Sequence, residues 1–372
     1  IVLKKIKMNK NKLNISINHT LIRKNILHWY DQNKRDLPWR INKNPYRIWI
    51  SEIMLQQTRV KFIEERFLRF LKRFPTLKSL ANSSVGEVLN EWQGIGYYSR
   101  ARNLHHSAKI ILSDYNGKIP QKQEDLKKLP GIGIYTAAAI GSIAFDHNTP
   151  ALDSNWLRVI SRVLNFQGQI DTKRSLLYLE EFANKIISKK RPGDFNQSIM
   201  DIGSKICMPN KIHCELCPVI NSCISFKNKT SLQIPKKRKK TKRKLMTFFQ
   251  FFAEFNKKFL MLQRKEKGLF EGLWELPGWQ INGHVYNCTQ KQKKEKFDSL
   301  FKEKYSCPEK IIEKKIQLTH IDILFVVFRV SVKSNNTKVS GVKWVKKEGL
   351  LREGISSAQK KVINSIHEKI IL

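Results

Sequence analysis

Four cysteines occupy one short segment of this chain, and their spacing limits how that segment can fold. Cys207, Cys214, Cys217 and Cys223 lie within seventeen residues, with gaps of six, two and five residues between them. One loop of this length can wrap four thiolates around a single compact metal centre. Zinc sites usually pair two close-set dyads, and only Cys214 and Cys217 form one here. The spacing therefore favours one 4Fe-4S cluster, with zinc as the alternative and His213 as a neighbouring replacement ligand.

Disulfides are the other interpretation of these cysteines, and the composition argues against them. The chain has only six cysteines in 372 residues, and Cys288 and Cys307 lie far from the other four. Secreted domains held by disulfides are much richer in cysteine. No apolar run is long enough to cross a membrane, and the basic stretch 1–14 lacks the apolar middle of a signal peptide. We therefore expect a reduced, intracellular setting and no membrane partner.

The hydrophobic pattern changes along the chain and predicts two kinds of domain. From about residue 21 to 188 apolar residues recur at helical spacing, whereas segments after residue 245 are rich in Phe, Val and Ile, as strands are. We predict an all-α domain over residues 1–234, a basic linker over 235–244 and an α+β domain over 245–372. The predicted helices include Thr20–Trp29, Tyr46–Arg59, Val60–Phe74, Val85–Trp92, Ser99–Asp114, Gln123–Leu129, Tyr135–Phe145, Ser154–Leu164, Ser175–Ser188 and Ser356–Ile371, and the predicted strands Leu245–Phe255, Lys258–Arg264 and Ile321–Val332.

The charge of the chain indicates a polyanionic partner. Lys and Arg number 70 against 31 Asp and Glu, which gives a net charge of +39. Nucleic acid is the natural candidate for such a basic protein. A chain rich in Lys, Asn and Ile also fits the coding bias of an AT-rich genome, so charge alone does not establish DNA binding. The basic run 236–244 is interpreted as a solvated linker, with a phosphate-contacting strap or a localisation signal as alternatives.

A glycine turn joins two predicted helices in the segment 129–137. Glycine permits positive φ, so Gly131 and Gly133 would let backbone N–H groups at the start of the next helix point at a phosphate. Such a hairpin grips DNA without reading its sequence. It is neither a P-loop nor a dinucleotide fingerprint, because no Gly-Lys-Ser/Thr follows and a helix, not a strand, precedes it. A plain turn is the alternative.

Two carboxylates occupy positions where they could take part in catalysis. Asp153 begins a predicted helix, where it is either an N-cap or a carboxylate aimed out of the helix start. Glu52 lies in a nearly unbroken apolar stretch, where burial would raise its pKa and keep it able to donate a proton; a solvent-facing Glu is the alternative. Gln57 and Thr58 follow it with groups suited to base edges. Tyr97 is interpreted as core or as a stacking wedge.

Several motifs together carry a family resemblance. In order they are Arg35–Arg40, Trp49–Thr58, Gly94–Leu104, the hairpin, the Asp153 segment, and Asn196–Gly203 leading into the cysteines. With them the chain resembles the adenine DNA glycosylases of the MutY type, in the helix-hairpin-helix superfamily that also holds endonuclease III. The resemblance covers essentially the whole chain from about residue 20.

The resemblance implies removal of adenine mispaired with 8-oxoguanine or guanine in duplex DNA, after the base has been flipped out of the stack. It implies that Glu52 protonates the adenine at N7 and that ionised Asp153 stabilises the sugar cation with support from Tyr135 and Asn155. Related lyases carry a lysine at the position of Tyr135 and cut the strand through a Schiff base. The resemblance therefore implies a monofunctional enzyme that leaves an abasic site.

Further contacts are implied for DNA and for the second domain. Segment 264–278 is similar to the family's NUDIX-like 8-oxoguanine recognition module, without the paired glutamates of NUDIX hydrolases. Leu318-Thr319-His320 stands where the family has Phe-Ser-His, which implies looser lesion selectivity. The expected DNA contacts are Arg40, Gln57, Thr58, Tyr97, Gly131, Gly133, Thr319 and His320.

Two other functions remain open on the sequence: an endonuclease III-like pyrimidine glycosylase/lyase, and a protein that uses cluster and hairpin only to bind DNA. For the leading interpretation we expect a monomer with one structural 4Fe-4S cluster. Its partner would be double-stranded DNA, and its location the cytoplasm, at the nucleoid.

Overall fold

The structure is a computed structural model that describes residues 17–236, 243–301, 305–351 and 354–370. These residues form two units. The cysteine unit comprises residues 17–48, 121–124 and 133–236, and the sheet unit comprises residues 49–120, 125–132 and the described residues from 243 onward. Some of the boundaries between the two units fall inside a helix, and others fall in the segments that connect helices.

The first part of the chain is helical, as predicted. Its α-helices are α1 (His19–Asn33), α2 (Pro45–Leu55), α3 (Val60–Arg73), α4 (Leu77–Ala81), α5 (Val85–Glu91), α6 (Ser99–Asp114), α7 (Gln123–Lys128), α8 (Ile134–Phe145), α9 (Ser154–Val163), α10 (Lys173–Ile186), α11 (Pro192–Lys205) and α12 (Ile224–Lys227). Side-chain caps fix several starts, as where Thr172 accepts a hydrogen bond from the N–H of Ser175 at the head of α10.

The last part of the chain combines one sheet with two helices. The strands are β1 (Lys244–Phe255), β2 (Lys258–Gln263), β3 (Trp274–Glu275), β4 (Gly278–Asn282), β5 (Glu309–Gln317), β6 (Ile321–Ser331) and β7 (Val342–Lys346), with α13 (Gln290–Leu300) and α14 (Ser357–Ile370). The strand order is β3-β2-β1-β6-β5, with β4 paired to β1 and β7 to β2. Strands β1 and β6 run parallel in register from Lys244 opposite Ile321, and the other named pairs are antiparallel.

Each unit has its own apolar interior. In the cysteine unit, α9 and α11 pack around Trp156, Ile160 and Phe195. In the sheet unit, the two faces of β1 bury different aromatic residues: Phe248 and Phe252 on one face, Phe249 and Phe251 on the other. Side chains of α14 cover the first face and those of α13 the second, which is the layered packing expected of an α+β domain.

The predicted order of an all-α part followed by an α+β part is confirmed, and two helix ends were wrong. The helix predicted over Thr20–Trp29 continues to Asn33, because helical backbone persists until Lys34, whose ψ is 139°. The helix predicted over Tyr46–Arg59 ends at Leu55, because Gln57 takes a left-handed conformation with φ of 57° and breaks the helix. Most of the predicted basic linker, residues 237–242, lies outside the described residues, and the predicted domain boundaries stay a prediction. Among the described helices, none combines the length and apolar character needed to span a bilayer.

Candidate active site

Asp153 caps the start of helix α9. One carboxylate oxygen accepts a hydrogen bond from the backbone N–H of Trp156 at 2.7 Å, and the other accepts from the side-chain amide of Asn155 at 2.6 Å. This geometry matches the N-cap interpretation of the sequence. Each carboxylate oxygen can accept more than one hydrogen bond, so Asp153 keeps acceptor capacity while it caps the helix.

Asn196 fixes the extended segment that delivers Asp153 to its place. This fully buried amide accepts a hydrogen bond from the N–H of Ala151 at 2.9 Å and donates to the carbonyl of Thr149 and the hydroxyl of Ser142. Helix α11 thereby holds the chain between α8 and α9. The sequence motif around Asn196 was recognised only as part of the resemblance, because local spacing does not reveal a partner some 45 residues away.

Arg158 connects the Asp153 site to the cysteine loop. Its guanidinium donates to the side-chain oxygen of Asn155 at 2.7 Å, to the carbonyl of Gly203 at 2.6 Å and to the carbonyl of Cys207 at 2.7 Å. Gly203 has to be small, since a Cβ there would lie 2.6 Å from Asn155. Asp153, Asn155, Arg158 and Cys207 therefore form one hydrogen-bonded chain, which local spacing in the sequence does not reveal.

Two opposing influences act on the Asp153 carboxyl group. Burial is the larger and raises its pKa above the usual value, because a charged carboxylate loses hydration there. The N–H of Trp156, the amide of Asn155 and the positive charge of Arg158 lower its pKa and oppose burial. A positive charge on a bound molecule would lower the pKa further and favour the ionised form.

The four clustered cysteines line one small cavity in the cysteine unit. Apolar side chains, among them Ile206, Ile212 and Phe226, form the rest of its wall together with Arg162. None of the six cysteines forms a disulfide, so the disulfide interpretation is wrong. In the described ranges, no three Cys, His, Asp or Glu side chains lie close enough together to hold one metal ion as they stand.

The donor chemistry of this cavity suits a thiolate-bound group. Burial raises the pKa of the Cys217 thiol to about 12 and that of Cys223 to about 11, so a bound cationic centre would be needed to hold them as thiolates. The buried Arg162 donates to the Cys207 sulfur at 3.2 Å and to nearby loop carbonyls. His213 pairs with Glu215 instead and is not among the lining residues.

The two hairpin glycines differ in conformation. Gly131 has φ of 82°, the left-handed region that favours glycine, whereas Gly133 has φ of −87° and is the extended N-cap of α8. The expectation of positive φ is therefore right for Gly131 and wrong for Gly133. Tyr135 lies half-buried in the first turn of α8, where backbone N–H groups lack partners within the helix.

Glu52 is buried in helix α2 of the sheet unit. Its side chain is 6% exposed, and the neighbouring residues from Ile50 to Met54 are also buried. The solvent-facing alternative is therefore wrong. Glu52 belongs to the sheet unit and Asp153 to the cysteine unit.

Three of the predicted DNA contacts of the sheet unit line one pocket of about 810 Å³. Tyr97, Thr319 and His320 line it together with Phe270 and Leu318. The Tyr97 hydroxyl donates to the Thr319 hydroxyl oxygen, which joins the tyrosine turn to the 318–320 loop. Tyr97 is 39% exposed, so it is a surface residue and not core.

Arg40 has an internal partner in the cysteine unit. Its guanidinium donates to the fully buried carboxylate of Asp201 at 2.7 Å, and Arg35 pairs with the same carboxylate. The two arginines lower the pKa of Asp201 against the effect of burial. The geometry places Arg40 in a buried ion-pair network, and its contact with DNA stays a prediction.

Comparison with known proteins identifies the family. The HhH-GPD superfamily base excision DNA repair protein profile matches residues 50–188, and a NUDIX domain profile matches residues 251–365. The adenine DNA glycosylase of Rattus norvegicus is 30% identical over 94% of this chain and 78% of its own length. That of Buchnera aphidicola subsp. Schizaphis graminum is 38% identical over 72% of this chain and 78% of its own length. The chain belongs to the adenine DNA glycosylases.

A solved structure supports the fold of this glycosylase. A thermostable thymine-DNA glycosylase, 28% identical, superposes with a TM-score of 0.52 over 56% of this chain and 97% of its own. The predicted fold class, a helical helix-hairpin-helix glycosylase part followed by a NUDIX-like α+β part, is confirmed. The adenine DNA glycosylase is thus a base excision repair enzyme.

Proposed function

We propose that this glycosylase hydrolyses the N-glycosidic bond of adenine paired with 8-oxoguanine or guanine and leaves an abasic site in an uncut strand. The observation that carries the proposal is the Asp153 carboxylate, held at the start of α9 by Trp156 and Asn155 with acceptor capacity remaining. Such a carboxylate can face the positive charge that develops on the sugar as the base departs.

Glu52 supplies the proton in this proposal. A flipped adenine leaves more easily when N7 is protonated, because the base then departs as a neutral molecule. The buried setting of Glu52 supports this role, since the residue is only 6% exposed and carries a carboxyl group, a side chain that can act as a general acid.

Tyr135 supports the monofunctional outcome. A lyase needs an amine that attacks the sugar and forms a Schiff base, and a phenol cannot form one. Water therefore completes the reaction, and strand cleavage is left to later steps. Asn155 and Tyr135 support Asp153 in this reaction, Asn155 through its 2.6 Å hydrogen bond.

The pocket of the sheet unit supports recognition of the opposite base. Exposed hydroxyl and imidazole groups on Thr319 and His320 offer hydrogen bonds there, beside the Tyr97 ring. Leu318 provides apolar contact without aromatic stacking, so we expect weaker discrimination of 8-oxoguanine from guanine than a phenylalanine would give. Gln57, Thr58, Gly131 and Gly133 would contact the same DNA duplex, at the nucleoid.

Cys207, Cys214, Cys217 and Cys223 would hold one 4Fe-4S cluster in the cavity that they line. When bound, such a cluster orders the loop that carries its ligands and places Lys205 and Lys211 for phosphate contacts. The chain's own residues carry out the glycosidic chemistry, so the cluster is assigned a structural role.

Base release from defined duplexes tests the proposal. Labelled duplexes would carry adenine opposite 8-oxoguanine, adenine opposite guanine, or an oxidised pyrimidine, and each would be read with and without alkali. We expect adenine release that produces a strand break only after alkali. Pyrimidine release with spontaneous cutting would instead indicate a lyase, and no release from any duplex would indicate a binding protein.

Changing Arg158 to Gln is expected to slow adenine release about tenfold at neutral pH, the loss expected for one hydrogen bond in a charged network. The ionised form of Asp153 is the active one, so activity is lost as pH falls through its pKa. Removal of the Arg158 charge raises that pKa, and the acid limb of the pH–rate profile should move to higher pH. Arg23→Gln, which loses contacts only to carbonyls at the end of α10, is the matched control.

Changing Cys214 to Ser is expected to remove the visible iron-sulfur absorption and the complement of about four irons per chain. The loss of a bound centre should lower the melting temperature by about 10 °C. Cys307→Ser, at an exposed cysteine of the sheet unit, should change neither iron content nor melting. Stoichiometric zinc in protein purified without oxygen would contradict the cluster.

A further inference from the structure

Arg100 is a buried cation on helix α6, in the sheet unit. Arg100 is only 8% exposed. Burial lowers the pKa of its guanidinium to about 10, so the side chain stays protonated at neutral pH. A buried arginine is costly unless its N–H groups are paired. The two terminal nitrogens of Arg100 are paired with two separate turns of the chain, and both turns carry predicted DNA contacts.

The first turn follows helix α2. One terminal nitrogen of Arg100 donates to the carbonyls of Ile53 and Met54, each at 2.9 Å, and to that of Gln56 at 2.6 Å. The other terminal nitrogen donates to the Thr58 hydroxyl at 3.2 Å. Arg100 thereby caps the carbonyl end of α2 and fixes the chain on both sides of the exposed Gln57.

The second turn precedes helix α6. The same nitrogen that contacts Thr58 donates to the carbonyl of Gly96 at 3.1 Å, and the guanidinium lies 5.5 Å from the centre of the Tyr97 ring. The Trp92 indole also donates to the Gly96 carbonyl. One planar cation thus bridges two turns that lie about forty residues apart in sequence.

Both turns have backbone conformations that need support. Gln57 has φ of 57° and Tyr97 has φ of 48°, in the left-handed region that is unfavourable for side chains such as these. Their carbonyl neighbours face Arg100, whereas the Gln57 and Tyr97 side chains reach the surface. The Gln56 side chain also donates to the carbonyl of Gly131 at 3.4 Å, which brings the hairpin close to the same turn.

We propose that Arg100 is a positioning residue for opening the duplex: it holds the Gln57–Thr58 turn and the Tyr97 turn as one preformed unit that separates the target adenine from its neighbours. The inference rests on the proposed function. Preorganisation of this kind lowers the cost of distorting DNA, because the protein does not have to order its own turns at the same time. A lysine keeps the charge but cannot bridge both turns with a planar fork.

The test compares the wild-type chain with Arg100→Lys on two duplexes. In the first duplex the target adenine is stacked and opposite 8-oxoguanine, and in the second mismatched neighbours have already loosened the same adenine. Arg100→Lys should slow single-turnover release about 10- to 100-fold on the first duplex and less than about threefold on the second. With 2-aminopurine at the target position, its unstacking fluorescence should fall in the same variant. Arg23→Lys, another arginine that donates to helix-end carbonyls, should behave as wild type.

Equal losses on both duplexes, or no loss on either, would overturn the inference. If Arg100→Lys does not melt cooperatively, Thr58→Val removes a single acceptor of Arg100 and should give the same pattern at smaller size. A wild-type chain that unstacks 2-aminopurine but releases no adenine would contradict the proposed function alone. In that case the unstacking signal of Arg100→Lys still decides whether Arg100 positions the two turns.

Discussion

Changing Asp153 to Asn is expected to slow single-turnover adenine release about 1,000-fold while helix α9 remains folded. The amide has the shape of the carboxylate and caps helices about as well, so the local structure should persist. What is lost is the negative charge that faces the developing sugar cation. The measurement is single-turnover release at saturating enzyme, together with thermal melting to show that the variant is folded.

A matched control separates capping from chemistry. Thr172 caps α10 in the same unit through the N–H of Ser175, and Thr172→Ala should cost about 1 kcal/mol of stability. Release by that variant should remain at the wild-type rate. If Asp153→Asn released adenine as fast as wild type, Asp153 would be only a helix cap. Its negative charge would then not stabilise the sugar cation in the reaction.

The low-pH behaviour of the wild-type enzyme gives an independent check on Asp153. Protonation removes the same charge that Asp153→Asn removes, so release should fall as pH decreases through the raised pKa of this carboxyl group. The acid limb should disappear in the Asn variant, because no titrating carboxylate is left at that position. A persistent acid limb would assign it to another group.

Patterns of local spacing predicted much of this molecule from sequence. The helical period located α3 and α6 nearly to their ends, since each buries one apolar face. The cysteine spacing predicted a shared cavity, because four residues on one short loop cannot be far apart. The carboxylate at a helix start predicted the N-cap geometry of Asp153.

Side-chain partners distant in sequence could not be predicted in this way. Arg100, Arg158 and Asn196 hold the site through carbonyls and amides 40 or more residues away, and periodicity carries no information about such pairings. Arg40 shows the same limit, since its ion pair with Asp201, 161 residues away, leaves no trace in local spacing, and its contact with DNA stays a prediction. Strand β5 was missed because Lys310, Lys314 and Lys315 interrupt the apolar pattern of its buried face at Ile312 and Ile316.

Changing Glu52 to Gln is expected to slow adenine release by about 100- to 10,000-fold, the range by which a positioned acid accelerates proton transfer. Glutamine fills the same volume in the buried segment but has no proton to give the base. The measurement is single-turnover release, with melting recorded for both proteins. Glu275→Gln is the matched control, because Glu275 is a buried carboxylate of the same unit that pairs with Arg264 at 2.9 Å. That control should lower the melting temperature and leave release near the wild-type rate.

A change in the substrate tests which atom Glu52 serves. In 7-deazaadenine a carbon replaces N7, so protonation at that position is not available to the leaving base. Wild-type release of 7-deazaadenine should fall to about the level of Glu52→Gln on adenine, and the variant should lose little more on the analogue, because both changes remove the same proton transfer. Losses that multiply would show that Glu52 and N7 act independently, and Glu52 would then have to assist departure of the base by some route other than protonation of N7.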